Sequence, residues 1–279
     1  MASLLATGEA AACRAPALEN GAHLRLAGTW VAELPTNLAD VPGAPFRAFY
    51  AVPDESYGHG ILGRAADAAE LRVVPRASPG QAVGSCGEAP ISVPAGRGRV
   101  FEDVAPRLTD VDGDGRAEVL AVRSDARLGA QLVIYRMAGE QVVELAATPP
   151  IGTRHRWLAP AAWGDLDGDG AFEIAYVDRP HLAKVLRVWR LEGGRLREVA
   201  TLPGVTNHAI GDPRIFGGGQ RCPDGYEMVL QSADRTRLVG VTLRDDRLSA
   251  RDLGPAEAFG TRDVGPRTAP GREVPPCAG

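Results

Sequence analysis

The 279-residue chain carries 31 Lys and Arg against 35 Asp and Glu, a formal net charge of −4, with 44% hydrophobic, 24% charged and 5% aromatic residues. That composition lies well away from disordered chains, and scattered basic residues with few aromatics argue against a nucleic-acid surface. No apolar run approaches the ~18 residues a spanning helix needs, so no integral membrane segment is expected.

In chain order, residues 1–44 read as a leader or arm. Leu4 and Leu5 lack a basic start and Glu9 interrupts the apolar stretch, which makes a poor signal peptide. Ala10-Ala11-Ala12-Cys13 matches a lipoprotein cleavage box loosely, without the large aliphatic residue that usually precedes it. Strands are possible within residues 23–34. A first repeat unit reads from His59-Gly-Ile-Leu-Gly into Glu70-Leu-Arg-Val-Val, followed by a Pro- and Gly-rich insertion over 75–98.

Self-similarity becomes clear from Val104-Ala-Pro to Gly115 and from Leu158-Ala-Pro to Gly170. Each ends in Asp-x-Asp-Gly-Asp-Gly, and the first aspartates, Asp110 and Asp165, are 55 residues apart. Each loop runs into a β-branched stretch, 118–122 or 173–177, and two further strands follow around turns at Gly139 and at Gly193-Gly194. A third copy begins near His208, loses its acidic loop in a Gly-rich stretch at 217–220, and resumes at Asp224-Gly-Tyr-Glu. Short antiparallel strands in fours, repeating every ~50 residues, predict an all-β fold, a β-propeller of four-stranded blades with five preferred and four possible. The repeat domain is placed at 45–256, with a Pro/Gly-rich tail at 257–279.

The acidic loops suit Ca²⁺, which takes six to eight hard oxygen ligands. In the first, Asp110, Asp112 and Asp114 can turn inward together, the carbonyl of Arg116 adds an oxygen, and Glu118 closes the site. Asp165, Asp167, Asp169, the carbonyl of Ala171 and Glu173 repeat this arrangement, so two structural calcium sites are expected. An EF-hand differs in carrying its closing Glu at position 12 and leading into a helix. The bland alternative is a pair of solvated acidic turns. Together the loops hold eight carboxylates, leaving the rest of the chain at a net +4.

Catalytic motifs are absent from the sequence: there is no GxSxG, no phosphate-binding Gly-rich loop and no HxH or HExxH spacing. His59, Arg156 and His208 fall at similar positions before successive repeats, which predicts a funnel for a small anionic ligand. Cys13, Cys86, Cys222 and Cys277 are far apart, without a CxxC pair; disulfides Cys222–Cys277 and Cys13–Cys86 are preferred among the three pairings, and they require export.

With Trp163-Gly164 in the Phe-Gly position, the repeats resemble the FG-GAP and VCBS repeats of integrin α-subunit propellers and exported bacterial proteins. The Gly-Ala-Pro signature is replaced by Val122-Arg-Ser and Val177-Asp-Arg, as in a divergent bacterial type. The likeness covers about 101–202 and extends weakly to 253. It implies a propeller with structural calcium and no reaction. The expectation is a monomeric, periplasmic or secreted, non-catalytic binding or scaffold module whose partner is a protein or small anion. The alternative is a propeller hydrolase or lyase acting on an envelope or extracellular substrate, since paired carboxylates meet in space rather than in sequence.

Overall fold

A computed structural model describes residues 44–75, 90–222 and 225–256, with residue 39 and the backbone of 25–26 and 29–30. Its elements are all strands, and every pairing is antiparallel. β1 (Arg25–Leu26) and β2 (Thr29–Trp30) pair alone. An eight-stranded sheet contains β3 (Phe46–Asp54), β4 (Asp67–Pro75), β5 (Ile91–Pro94), β6 (Arg99–Phe101), β7 (Arg107–Thr109), β8 (Glu118–Asp125), β9 (Gly129–Ala138) and β10 (Gln141–Ala147). A four-stranded sheet follows in simple order: β11 (Leu158–Gly164), β12 (Glu173–Asp178), β13 (Val185–Glu192) and β14 (Arg195–Pro203). The last sheet holds β15 (Val205–Thr206), β16 (Gly218–Cys222), β17 (Gly225–Ser232), β18 (Arg237–Arg244) and β19 (Arg247–Pro255).

The inner strands β8 and β12 are buried on both faces because their side chains alternate between two cores, whereas β10, β14 and β19 are largely exposed. On β8, Val119 and Ala121 join Tyr50, Leu71 and Val133 on one side, while Leu120 and Val122 join Leu132, Trp157 and Ile174 on the other. On β12, Ile174 and Tyr176 enter that second core, and Ala175 and Val177 enter a third with Met228, Leu230 and Val241. Successive sheets therefore pack face to face. This explains why β8 and β12 read as continuous apolar runs rather than alternating ones.

The four-strand unit expected at the second acidic loop is the sheet β11–β14. Upstream the expected units are joined, because β6 pairs with both β8 and β4, the latter through Ala68 and Phe101 alone. β3 and β5 extend the first unit beyond the strands read from sequence. The Gly-rich stretch at 217–220, read as a departure from the repeat, enters β16 and pairs with β17. A Cβ at Gly219 would collide with the Tyr226 ring, so glycine is what lets the two strands lie together. The expected arm and tail fall almost wholly outside the described residues, as do Cys13, Cys86 and Cys277 with the expected disulfide partners.

Gly129 opens β9 at φ +75° beneath the loop 148–157, whose Arg156 carbonyl accepts from Ala130 N–H at 2.8 Å. A Cβ there would press into the carbonyl oxygens of Thr153 and Arg156. Gly129→Ala combines this clash with a left-handed backbone and should cost roughly 2 kcal/mol or more, read from urea unfolding against wild type.

Candidate functional site

The two acidic loops fold alike, bond for bond. In the first, Asp110 accepts from the N–H groups of Gly113 at 2.8 Å and Gly115 at 2.9 Å, Asp114 accepts from Arg116 N–H at 2.8 Å, and Glu118 reaches back to Val111 N–H at 3.0 Å. In the second, Asp165 holds Gly168 and Gly170, Asp169 holds Ala171, and Glu173 holds Leu166 N–H at 3.0 Å. Gly113, Gly115, Gly168 and Gly170 all take positive φ, which an L side chain would resist. Each loop thus brings carboxylate oxygens of Asp110, Asp112 and Glu118, or of Asp165, Asp167 and Glu173, within 4.8 Å of one another. Residues 110–176 match the family model of an FG-GAP-like repeat.

The match spans both acidic loops of the FG-GAP-like segment. No curated protein matches the chain. Among solved structures it is similar to a protein of Bacteroides fragilis NCTC 9343 provisionally described as a 6-phosphogluconolactonase, with 10% identity and a TM-score of 0.37 over 81% of this chain and 88% of that one. A likeness at that level carries no weight for fold or function.

The donor set in both loops is hard oxygen throughout, as calcium chemistry requires. Burial, and then the charges of Asp112, Asp114 and Asp110, push the Glu118 carboxyl above its ordinary value. Burial followed by Asp167 does the same to Glu173. Crowded like charges of this kind call for a cation. Part of that demand is met from the neighbouring strand by residues not singled out in the sequence. Arg136 on β9 lies 3.2 Å from Asp112, and its counterpart Arg190 on β13 lies 2.7 Å from Asp167 and 2.6 Å from Glu173. In the third copy, Glu227 keeps the position of Glu118 and Glu173, is buried, and is gripped by Arg251 at 2.5 Å and by Gln220 at 2.7 Å. A guanidinium there stands where the broken loop offers no metal ligands. Asp114 and Asp169 lie outside the closest carboxylate groups.

The opposite ends of the strands carry different chemistry. Antiparallel alternation sends the acidic loops and the turns bearing Glu140, Asp245 and Asp246 to one end, and the loops 126–128, 148–157, 179–184, 207–217 and 233–236 to the other. Four of the five histidines lie at this second end, including the funnel residues His59 and His208 together with His155 and His181, which sequence spacing did not single out. His59 Nδ1 lies 2.5 Å from the carboxylate of fully buried Glu102, whose other oxygen accepts from Ser124 Oγ at 2.5 Å. The His59 ring stacks on His155 at 4.8 Å, and Trp157 donates its indole N–H to the Glu102 carbonyl at 2.8 Å. On the far side, Trp157 packs edge-on against His208 at 4.8 Å. Glu102 and Trp157 thus connect the two predicted histidines.

The His208 tautomer follows from its partners. The carbonyl of Asp212 can only accept, so His208 Nε2–H donates to it at 2.8 Å, and His208 Nδ1 accepts from His181 Nε2–H at 2.9 Å. Burial lowers both pKa values, that of His181 to about 4, and keeps the pair neutral. Both ring nitrogens of buried His208 are therefore engaged. Arg156, the third funnel residue, is half-buried and donates to the His155 carbonyl at 3.3 Å.

Asp67 shares this region. Burial and then the charge of Glu102 raise its carboxyl to about 7, against the opposing pull of Arg64 and His59 and with a smaller push from Asp54. A raised carboxyl favours the folded state fully below the unfolded value of 3.8, and that contribution is lost as pH rises through about 7. Asp67→Asn should therefore match wild type at pH 4 and melt higher at pH 8, by about 3 °C for each ~1 kcal/mol recovered. Thermal melts of both proteins from pH 4 to 8 test the sign.

Proposed function

We propose that the chain is a calcium-stabilised β-propeller acting as a non-catalytic binding or scaffold module outside the cytoplasm. The observation that carries this reading is the recurrence of one carboxylate arrangement, with the same backbone bonds, in two loops of an FG-GAP-like segment. Calcium would take the oxygens of Asp110, Asp112 and Glu118 and of Asp165, Asp167 and Glu173. Asp114, Asp169 and the carbonyls of Arg116 and Ala171 would complete the two shells. The ion would hold each loop between the innermost strands of its sheet and do no chemistry of its own.

Face-to-face packing of successive antiparallel units supports the propeller, with β1–β2 the start of a fifth blade. The repeat domain runs over 45–256 between an N-terminal arm and a C-terminal tail, and the protein is a monomer. Secretion or periplasmic residence suits disulfide use and loops of the kind that bind calcium at extracellular concentrations. Among the described residues no helix is long and apolar enough to cross a membrane.

Thermal unfolding with excess EDTA and with about 2 mM Ca²⁺ tests this reading. A site with a Kd of about 0.1 mM gains roughly 1.8 kcal/mol, several degrees in melting temperature. Asp112→Ala and Asp167→Ala should each remove about half of the rise. No calcium effect in any of the three proteins would reduce the loops to solvated turns.

A further inference from the structure

We propose that the end of the molecule opposite the acidic loops is a binding site for a small oxyanion, a carboxylate or a phosphate-type group, formed by His59, His155, Arg154, Arg156, His181 and Arg235. The inference rests on the binding-module reading and names its ligand class.

Convergence is the first observation. The loop 55–66 is tied to the loop 148–157, because Arg154 donates to the Tyr57 carbonyl at 3.0 Å and His155 N–H donates to Tyr57 Oη at 3.2 Å. It is tied to the loop 207–217 through Gly211 N–H and the Ile61 carbonyl at 2.9 Å. The loop 179–184 joins through His181 and His208. Segments as far apart in sequence as Ile61 and Gly211 therefore meet around Trp157.

Charge is the second. The loops 148–157 and 179–184 carry Arg154, Arg156, Arg179 and Lys184 and no carboxylate, with Arg179 held by the adjacent Asp178 at 2.8 Å, while Glu55, Asp67, Asp212 and Asp234 stand on or beside the other loops of this end. Most arginines elsewhere are paired: Arg107 with Asp103, Arg187 with Asp178, Arg190 with Glu173 and Arg251 with Glu227. Arg154 and Arg156 donate to carbonyls and an imidazole, and among the described residues neither they nor Arg235 has a carboxylate partner. Arg235 is exposed on the loop 233–236, which is tied to the loop 179–184 by Lys184 Nζ donating to the Ala233 carbonyl at 2.7 Å. Three guanidiniums with no carboxylate partner among the described residues, gathered at one end, are a device for attracting an anion.

Tautomer is the third. Glu102 accepts at His59 Nδ1, so that nitrogen carries the proton and orients the ring, as a carboxylate does for a functional imidazole. Among the described residues His59 Nε2 has no hydrogen-bond partner, and the side chain is 14% exposed. Nε2 is thus the ring atom left to a ligand, with the ring held in place by Glu102.

Titration calorimetry at pH 7, in about 20 mM NaCl and ~0.5 mM Ca²⁺, with sodium sulfate and with sodium succinate as probes, tests the site. Saturable binding of at least one probe is expected, weakening as salt screens the charges. Arg156→Gln and Arg235→Gln should each weaken it by about fivefold or more, because each removes a charge-assisted hydrogen bond, and His59→Gln similarly, because it removes the ring atom left to the ligand. Arg195→Gln, an exposed change at the acidic end, should leave it unaltered. Sulfate alone binding points to phosphate-type ligands, succinate alone to carboxylates. Arg235 is exposed, so its variant folds even if His59→Gln does not. Binding of neither probe, binding that all three variants retain, or an equal loss in Arg195→Gln overturns the proposal. Repeating the titration in EDTA separates it from the calcium reading, since anion binding can persist where no calcium-dependent melting shift exists.

Discussion

A fully buried carboxylate must find partners, and Glu102 finds them in three separate parts of the chain. Its oxygens hold His59 and Ser124, and its own carbonyl takes the indole N–H of Trp157. Through Trp157 the connection passes into the next sheet and to His208. Removing any member strands a buried charge or donor, so the group is cooperative in the physical sense: each bond is cheap only while the others are made. The loop positions on that side of the molecule follow from it.

The two ends of the strands divide the electrostatic labour. One collects carboxylates into tight turns that need a cation. The other collects guanidiniums and imidazoles around an aromatic floor. Alternating strand direction makes this segregation possible with short loops, because every second connection returns to the same end. The small net charge of the chain conceals it.

Much of the acidic end was legible in the sequence. Asp-x-Asp-Gly-Asp-Gly with Glu at position 9 is a local pattern whose geometry is fixed within nine residues, so Asp110 to Glu118 and Asp165 to Glu173 could be aligned by inspection. The strands after them followed from β-branched runs and Gly turns. Arg136 and Arg190 were not legible, since they reach the carboxylates only through cross-strand register. Their spacings from the loops, 24 residues from Asp112 and 23 from Asp167, differ by one, so the correspondence emerges only from the strand pairing. Glu102, His155 and His181 were missed for a different reason. Their partners lie in other sheets, and His59 and His155 stack across 96 positions of sequence. The Gly-rich stretch at β16 was misread because glycine there serves the Tyr226 ring, a neighbour seven residues on, rather than a turn.

The Glu227–Arg251 pair has an implication for how the molecule responds to its surroundings. In the third copy the counter-charge is covalently part of the chain, so it cannot be diluted away or stripped by a chelator. In the first two copies Arg136 and Arg190 supply only part of it, and the proposed remainder is borrowed from solution. A fall in calcium would then loosen one side of the protein and leave β15–β19 in register, giving graded local opening rather than collapse of the whole. The acidic turns around Gly113 and Gly168 would be the first places a protease could cut.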